Sequence, residues 1–394
     1  MHPRTVLFVS NFSFALFAAL PAYILLPYLS SLMPTAYAGF VISGGALVAL
    51  SLFLFLPRLV ARYGIQRLAL LFAIIEMAAL LLLALSPGII AVCMLIALSV
   101  SVQPLLSYEL DLLLEATVTD KGSTGRVRTL FITAWNLASL TAPLLMGALL
   151  AGGDEYSRVF LAGAAALVPF IVLFATQHLP QGDPLNPSHM RDTLVCIMHD
   201  RDLAAVTFGH FILYCFYIWA PLYVPIYLHD TLGIPWSSLG WMFSVMLIPY
   251  VLVEYPAGWL ADKFIGDKEL MLLGFLVAGG ALVAISTVSS STPLLLILVI
   301  LVSSRIGAAL IESMTEGHFF RRVSEKDVNS ISVFRGIWPL ANFSAPIAGS
   351  LILLSGNLQL LFVLTGGFII VAGTIATLRI KDFRPVRVPE PECN

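Results

Sequence analysis

Long apolar runs, separated by brief polar breaks, organise this chain. A helix that crosses a membrane needs about 20 mostly apolar residues. Twelve runs meet that length, near residues 5–30, 37–57, 67–86, 88–114, 127–151, 157–177, 203–228, 237–257, 269–288, 292–315, 329–355 and 359–379. Each run is apolar on all sides, whereas a β-barrel strand alternates polar and apolar positions over about ten residues. The pattern predicts an all-α membrane protein of about twelve transmembrane helices. The first run begins with Arg4 like a secretion signal but continues to about Leu32. That exceeds the roughly 7–15-residue apolar core of a signal, so it is expected to be the first span. Some connections are as short as Ser86-Pro87 and Ser289-Ser290-Ser291.

Composition agrees. Of the 394 residues, 59% are hydrophobic and 11% charged, against about 25% charged in a soluble domain. Mean hydropathy is +0.94, which leaves too little polar surface to coat a globule. The net charge of -2 says less than the placement of the charges. One set of loops holds Arg58, Arg62, Arg67, Lys121, Arg126, Arg128, Arg191, Arg201, Lys263, Lys268, Arg321, Arg322 and Lys326, and the last residues add Arg379, Lys381, Arg384 and Arg387. The opposite set holds Arg158. The positive-inside rule then predicts both termini on the cytoplasmic side of the cell membrane. Cys93, Cys196, Cys215 and Cys393 are scattered without CxxC spacing and are expected to be reduced packing residues, with no metal site.

Punctuation repeats at an offset of about 201 residues. Pro34 and Gly39 fall on Pro235 and Gly240, Arg62-Tyr63 on Lys263-Phe264, and Asp111 and Glu115 on Glu312 and Glu316. Pro21-x-Tyr23 matches Pro221-x-Tyr223, and Ala142-Pro143 matches Ala345-Pro346 after a short gap. Apolar matches occur by chance in such a chain; shared Pro, Gly and charged positions do not. The expected organisation is a six-helix bundle over 1–177, a cytoplasmic linker over 178–201, a second six-helix bundle over 202–380 and a tail over 381–394. Six spans per copy make the copies parallel, related by a pseudo-twofold axis along the membrane normal.

The loop after span 8 reads Gly258-Trp-Leu-Ala-Asp262-Lys263-Phe-Ile-Gly266-Asp-Lys268 and resembles the G-x-L-A-D-R-x-G-R-R signature of the major facilitator superfamily. The first copy keeps Arg62, Gly64 and Arg67 but has Pro57 and Ala61 where the signature has glycine and aspartate. Pro143 with Gly147, and Pro346 with Gly349, resemble that family's G-P-x-x-G-G helix-bending motif. The resemblance implies a two-bundle transporter with a central site, alternating access, and spans 1, 4, 7 and 10 around the cavity. It also implies a small-molecule substrate, a lipid-embedded monomer, no cofactor and no nucleic-acid partner. Motif residues have physical roles of their own: Asp262 can cap a helix N-terminus, and the Pro-Gly pairs bend helices.

Charges inside spans are costly without a partner. Arg305 lies in the middle of span 10, and Glu312 two turns later on the same face. By the resemblance, Arg305 is a candidate substrate anchor; the alternative is a tether to Glu312 or Glu109. Its counterpart region in span 4 is Gln103-Pro104. Other candidates for substrate binding or coupling are Glu76, His210, Tyr214, Trp135 and Asn136. A cytoplasmic gate is expected from Asp111, Glu115, Glu312, Glu316 and Asp262 against Arg62, Arg128, Lys263 and Arg335. The expected activity is secondary transport of a small solute, read first as proton-coupled export of a drug or metabolite. Protons would ride on Glu76, Glu109 or His210. Nutrient or organic-anion uptake, by symport or uniport, is the alternative, and a transporter-derived sensor or scaffold a remote one. No HExxH, G-x-S-x-G or nucleotide-binding glycine loop occurs, so an enzyme is not expected.

Overall fold

The computed structural model describes residues 3–117, 124–180, 190–323 and 328–381. Twelve helices among them are long and apolar enough to span a membrane. Spans 1 to 6 are Pro3–Ala22, Thr35–Phe53, Ile65–Ala84, Ile89–Leu114, Leu130–Leu149 and Ser157–Thr176. Spans 7 to 12 are Arg201–Thr231, Trp236–Ile265, Asp267–Ile285, Leu294–Arg322, Val333–Leu353 and Leu358–Arg379. No strand occurs among the described residues.

Proline sets the interruptions. Span 1 stops just after Pro21 and resumes as Leu25–Ser30. Span 8 is built of Trp236–Met246, Ile248–Leu252, Glu254–Leu260 and a π-helical turn Ala261–Ile265, with Pro249 and Pro256 in the broken stretch. A proline lacks the N–H that the i−4 carbonyl needs, so the ladder breaks there. Repeat-mates Gly64 and Gly266 both take positive φ, 81° and 95°. That backbone region disfavours residues with a Cβ, and it turns span 2 into span 3 and span 8 into span 9.

The contacts repeat as the sequence does. In the first copy span 1 packs on spans 5, 6 and 4, span 3 on spans 6 and 4, and span 2 on span 4. In the second, span 7 packs on spans 11, 12 and 10, span 9 on spans 12 and 10, and span 8 on span 10. Each pair in one copy has its counterpart in the other. By contacts the chain divides into two compact units. One is Met1–Asn186 with Leu228–Ser244, and the other is Pro187–Tyr227 with Val245–Asn394. The tip joining spans 7 and 8 therefore belongs to the first unit. Within the linker region, Met190–His199 is helical.

Two cysteines are free thiols, Cys93 and the buried Cys215. Cys196 is disulfide-bonded, which corrects the expectation of a reduced thiol. Local spacing such as CxxC carries no information about a pair brought together by tertiary folding.

Candidate functional site

In the second unit, span 7 presents His210, Tyr214 and Tyr217 at i, i+4 and i+7, and span 10 presents Arg305, Glu312 and Glu316 at i, i+7 and i+11. Helical periodicity puts each set on one stripe. The Tyr217 hydroxyl donates to Glu312 Oε2 at 2.5 Å. Tyr217 also meets the Tyr250 ring of span 8 edge-on, 5.8 Å between centroids. Tyr214 lies edge-on to Trp338 of span 11 at 4.9 Å. Glu316 pairs with Arg335 at 3.0 Å. Of the gate acids expected to meet Arg335, Glu316 makes the ion pair, while Glu312 is held by a phenol.

His210 is fully buried. Its Nδ1 is 2.9 Å from Thr315 Oγ1, and its ring stacks on Phe334 at 4.3 Å. Thr315 donates its own proton to the Ile311 carbonyl, at 2.8 Å. It therefore accepts from Nδ1–H, which leaves Nε2 as a lone-pair nitrogen without a partner among the described residues. This is the geometry of a neutral imidazole.

Arg305 is 4% exposed. Its guanidinium lies over the Phe216 ring, 4.9 Å from the centroid, and Nη1 reaches Ser304 Oγ at 3.4 Å. Glu312 shares its face of the helix, yet no carboxylate among the described residues stands within ion-pair distance of it. A cation–π contact favours such a buried guanidinium without neutralising it.

Among its described residues the first unit holds two buried acids. Glu76 of span 3 accepts from the Ser99 hydroxyl of span 4, and Gln103 donates to Ser99 Oγ at 3.4 Å. Two candidates far apart in sequence, Glu76 and Gln103, thus belong to one chain of hydrogen bonds. Glu109 is 0% exposed, and neither carboxyl oxygen has a partner among the described residues. Trp135 packs against Phe14 at 5.7 Å and is 37% exposed, while Asn136 is half-buried.

At the basic end, Arg62 lies over the Tyr63 ring at 5.3 Å, and Lys263 over Trp259 at 5.1 Å. Asp111 is exposed. The side chains of Glu115, Arg128 and Asp262 lie outside the described set. Pro143, Gly147, Pro346 and Gly349 are all buried in their spans. The Trp219 indole N–H donates to the Ala345 carbonyl at 2.7 Å, and the Tyr223 hydroxyl to the Pro346 carbonyl at 3.4 Å, both on span 11.

Sequence reading missed a network at that end of the second unit. Asp200 caps span 7, accepting from the Asp202 and Leu203 amides at 2.8 and 3.1 Å. His318 of span 10 is 1% exposed and faces Asp202 at 3.0 Å and Asp267 at 3.1 Å. Arg321 pairs with Asp267, and Arg322 with Asp200 at 2.9 Å. Asp202 also accepts the Lys381 amide at 2.7 Å. The signal available was an Asp-x-Asp at one helix start and His-x-x-Arg-Arg at another helix end, both favourable to helix dipoles. Nothing in one sequence says that these two ends meet.

The chain matches the Major Facilitator Superfamily over residues 206–392. No curated protein matches it in sequence. Among solved structures it is similar to the peptide transporter POT in complex with sulfate. That likeness has a TM-score of 0.74 at 15% identity and covers 95% of this chain and 93% of that one. It is similar also to a bacterial homolog of the human lysosomal transporter Spinster, inward-facing and unoccupied. There the TM-score is 0.75 at 13% identity, with 98% of each chain covered. At these identities the likeness is one of fold.

Proposed function

On the premise that the chain has the Major Facilitator Superfamily fold, which its C-terminal half also matches in sequence, we propose that it is a proton-coupled secondary transporter moving a small solute by alternating access. The observation that carries this reading is Glu109. Its carboxyl is wholly buried in span 4, with neither oxygen paired among the described residues. An ionised carboxylate in such a place costs several kcal/mol, so in this arrangement the group holds its proton. Releasing that proton requires a conformation in which water or a cation reaches it. Protonation and conformation are then linked, and each shifts the other by the same free energy. Glu76, whose Oε2 has no partner among the described residues beside the Ser99 bond, is a second carboxyl of this kind.

The solute meets the second unit at the aromatic and acidic stripe of Tyr214, Tyr217, Glu312 and Trp338, with Arg305 as the buried charge behind it. A fold hosts many substrates, and export of a drug or metabolite is the reading we carry forward. The test uses protein in liposomes and a solute selected by thermal-shift screening at two pH values. An imposed pH gradient should drive flux in the parent. Glu109→Gln should abolish the gradient response and retain solute exchange without a gradient. A parent indifferent to the gradient would make the protein a uniporter, and a Glu109→Gln variant still driven by it would remove Glu109 from the coupling.

A further inference from the structure

At the end of the first unit away from the basic loops stands a histidine that the transport reading leaves unused. His229 sits in the π-helical last turn of span 7, Tyr227–Thr231, inside the hairpin that packs with the first unit. Its Nδ1 is 2.8 Å from the Ile234 carbonyl oxygen, and its Nε2 is 2.9 Å from Asp154 Oδ1. A carbonyl has no proton to give. Asp154 Oδ1 also accepts the Trp236 indole N–H at 2.8 Å, so that oxygen serves twice as an acceptor. A neutral imidazole owns one N–H, and an imidazolium owns two. Both bonds of His229 therefore form together when the ring is protonated. The ring lies 4.2 Å from the Trp236 ring, and its side chain is 17% exposed.

Asp154 belongs to the loop between spans 5 and 6, while His229 and Trp236 belong to the hairpin between spans 7 and 8. One turn deeper the same two elements touch backbone to backbone. A methyl added at Gly147 would fall 2.8 Å from Gly240 Cα and 2.8 Å from the Trp236 carbonyl oxygen. The polar bonds thus close the rim of a glycine-on-glycine contact.

We propose that Asp154, His229 and Trp236 form a proton-operated latch, which holds the span 7–8 hairpin on the span 5–6 loop in acid and releases it in alkali. Histidine ordinarily changes charge between about pH 5 and 8. Acidic groups stand around the His229 ring. Asp154 is its direct partner, and Asp230 acts on both. Glu155 and Arg158 pair with each other at 2.5 Å. Tyr156, against Trp236, is kept neutral: burial, then Asp154 and Asp230, push its phenol far above the ordinary range. With both ring nitrogens protonated the latch has both of its His229 bonds, and with one proton gone it keeps only one. By the positive-inside rule this face is the one opposite the cytoplasm. The latch is separate from the proton site at Glu109, and its test needs no transport.

Spin labels on Ala151→Cys and Thr231→Cys, both exposed positions, would report the gap by double electron–electron resonance in liposomes, with Cys93 and Cys215 replaced by serine. One short distance is expected at about pH 5.5, and a second, longer population at about pH 8.5. His229→Gln and Asp154→Asn, each checked for helix content and monodispersity, should give the same distribution at both pH values. Gly240→Leu, which wedges the contact beneath, should give the long distance at both. A parent with no pH response, a His229→Gln variant that keeps it, or a Gly240→Leu variant that stays short would each overturn the latch.

Discussion

At the residue scale the decisive groups are buried polar atoms without a full set of partners. Arg305 is the clearest. It is a guanidinium held by an aromatic face and one serine, with no carboxylate among the described residues to compensate its desolvation. Removing such a charge relieves a cost that its removal from a salt bridge would instead create. Arg305→Ala is therefore expected to leave the melting temperature unchanged or raised and to abolish solute flux in liposomes; full flux in that variant would free Arg305 of any transport role. His318 is the opposite case. Its ring separates Asp202 from Asp267, both themselves almost wholly buried. His318→Ala leaves two carboxylates facing a void and should cost about 3–5 kcal/mol, read as a large fall in thermal stability in detergent. Arg305 was legible in the sequence because a charge stands out in an apolar run. His318 was not, because its importance lies in two acids that sit more than fifty residues away.

At the element scale, helices end at caps and breaks that the sequence carries, and they meet where glycine lets them. Asp200 is a strong N-cap for span 7 and also the partner of Arg322. Asp200→Ala should lose about 1 kcal/mol through the cap alone and more through the ion pair, while Asp200→Asn should keep the cap and lose only the pair. Comparing the two melting curves separates the contributions. Equal losses would mean that the cap adds nothing. The Pro143-Gly147 pair stood out in the sequence, but its partner did not. Gly147 meets Gly240, and the second-copy residue Gly349 instead meets the Tyr223 ring. Similar motifs thus serve a backbone contact in one copy and an aromatic contact in the other.

At the scale of the whole molecule, duplication is the governing fact. The same six contact pairs recur in the two copies, and the positive-φ glycines recur with them. The basic loops predict the orientation. An epitope placed after Gly152 should be cleaved by protease added to right-side-out cells, and one at the C-terminus should be protected. The reverse pattern would overturn the assignment. The likeness to solved transporters extends over nearly the full length at 13–15% identity, because a bilayer constrains helix length and backbone satisfaction far more tightly than it constrains side-chain identity.

The sequence by itself determined the membrane-spanning class, the twelve spans, the repeat and the charged positions inside spans, since each rests on local hydrophobicity or on spacing along one chain. Only the tertiary structure decided the pairings. It joined Glu76 to Gln103 through Ser99, gave Glu312 to Tyr217 and Glu316 to Arg335, and left Glu109 without a partner among the described residues. It also set the span 7–8 hairpin with the first unit, bringing His229 to Asp154. Hydrogen bonds and ion pairs depend on distances of about 3 Å between side chains, and those distances are fixed by how helices pack, which one chain read in order does not record.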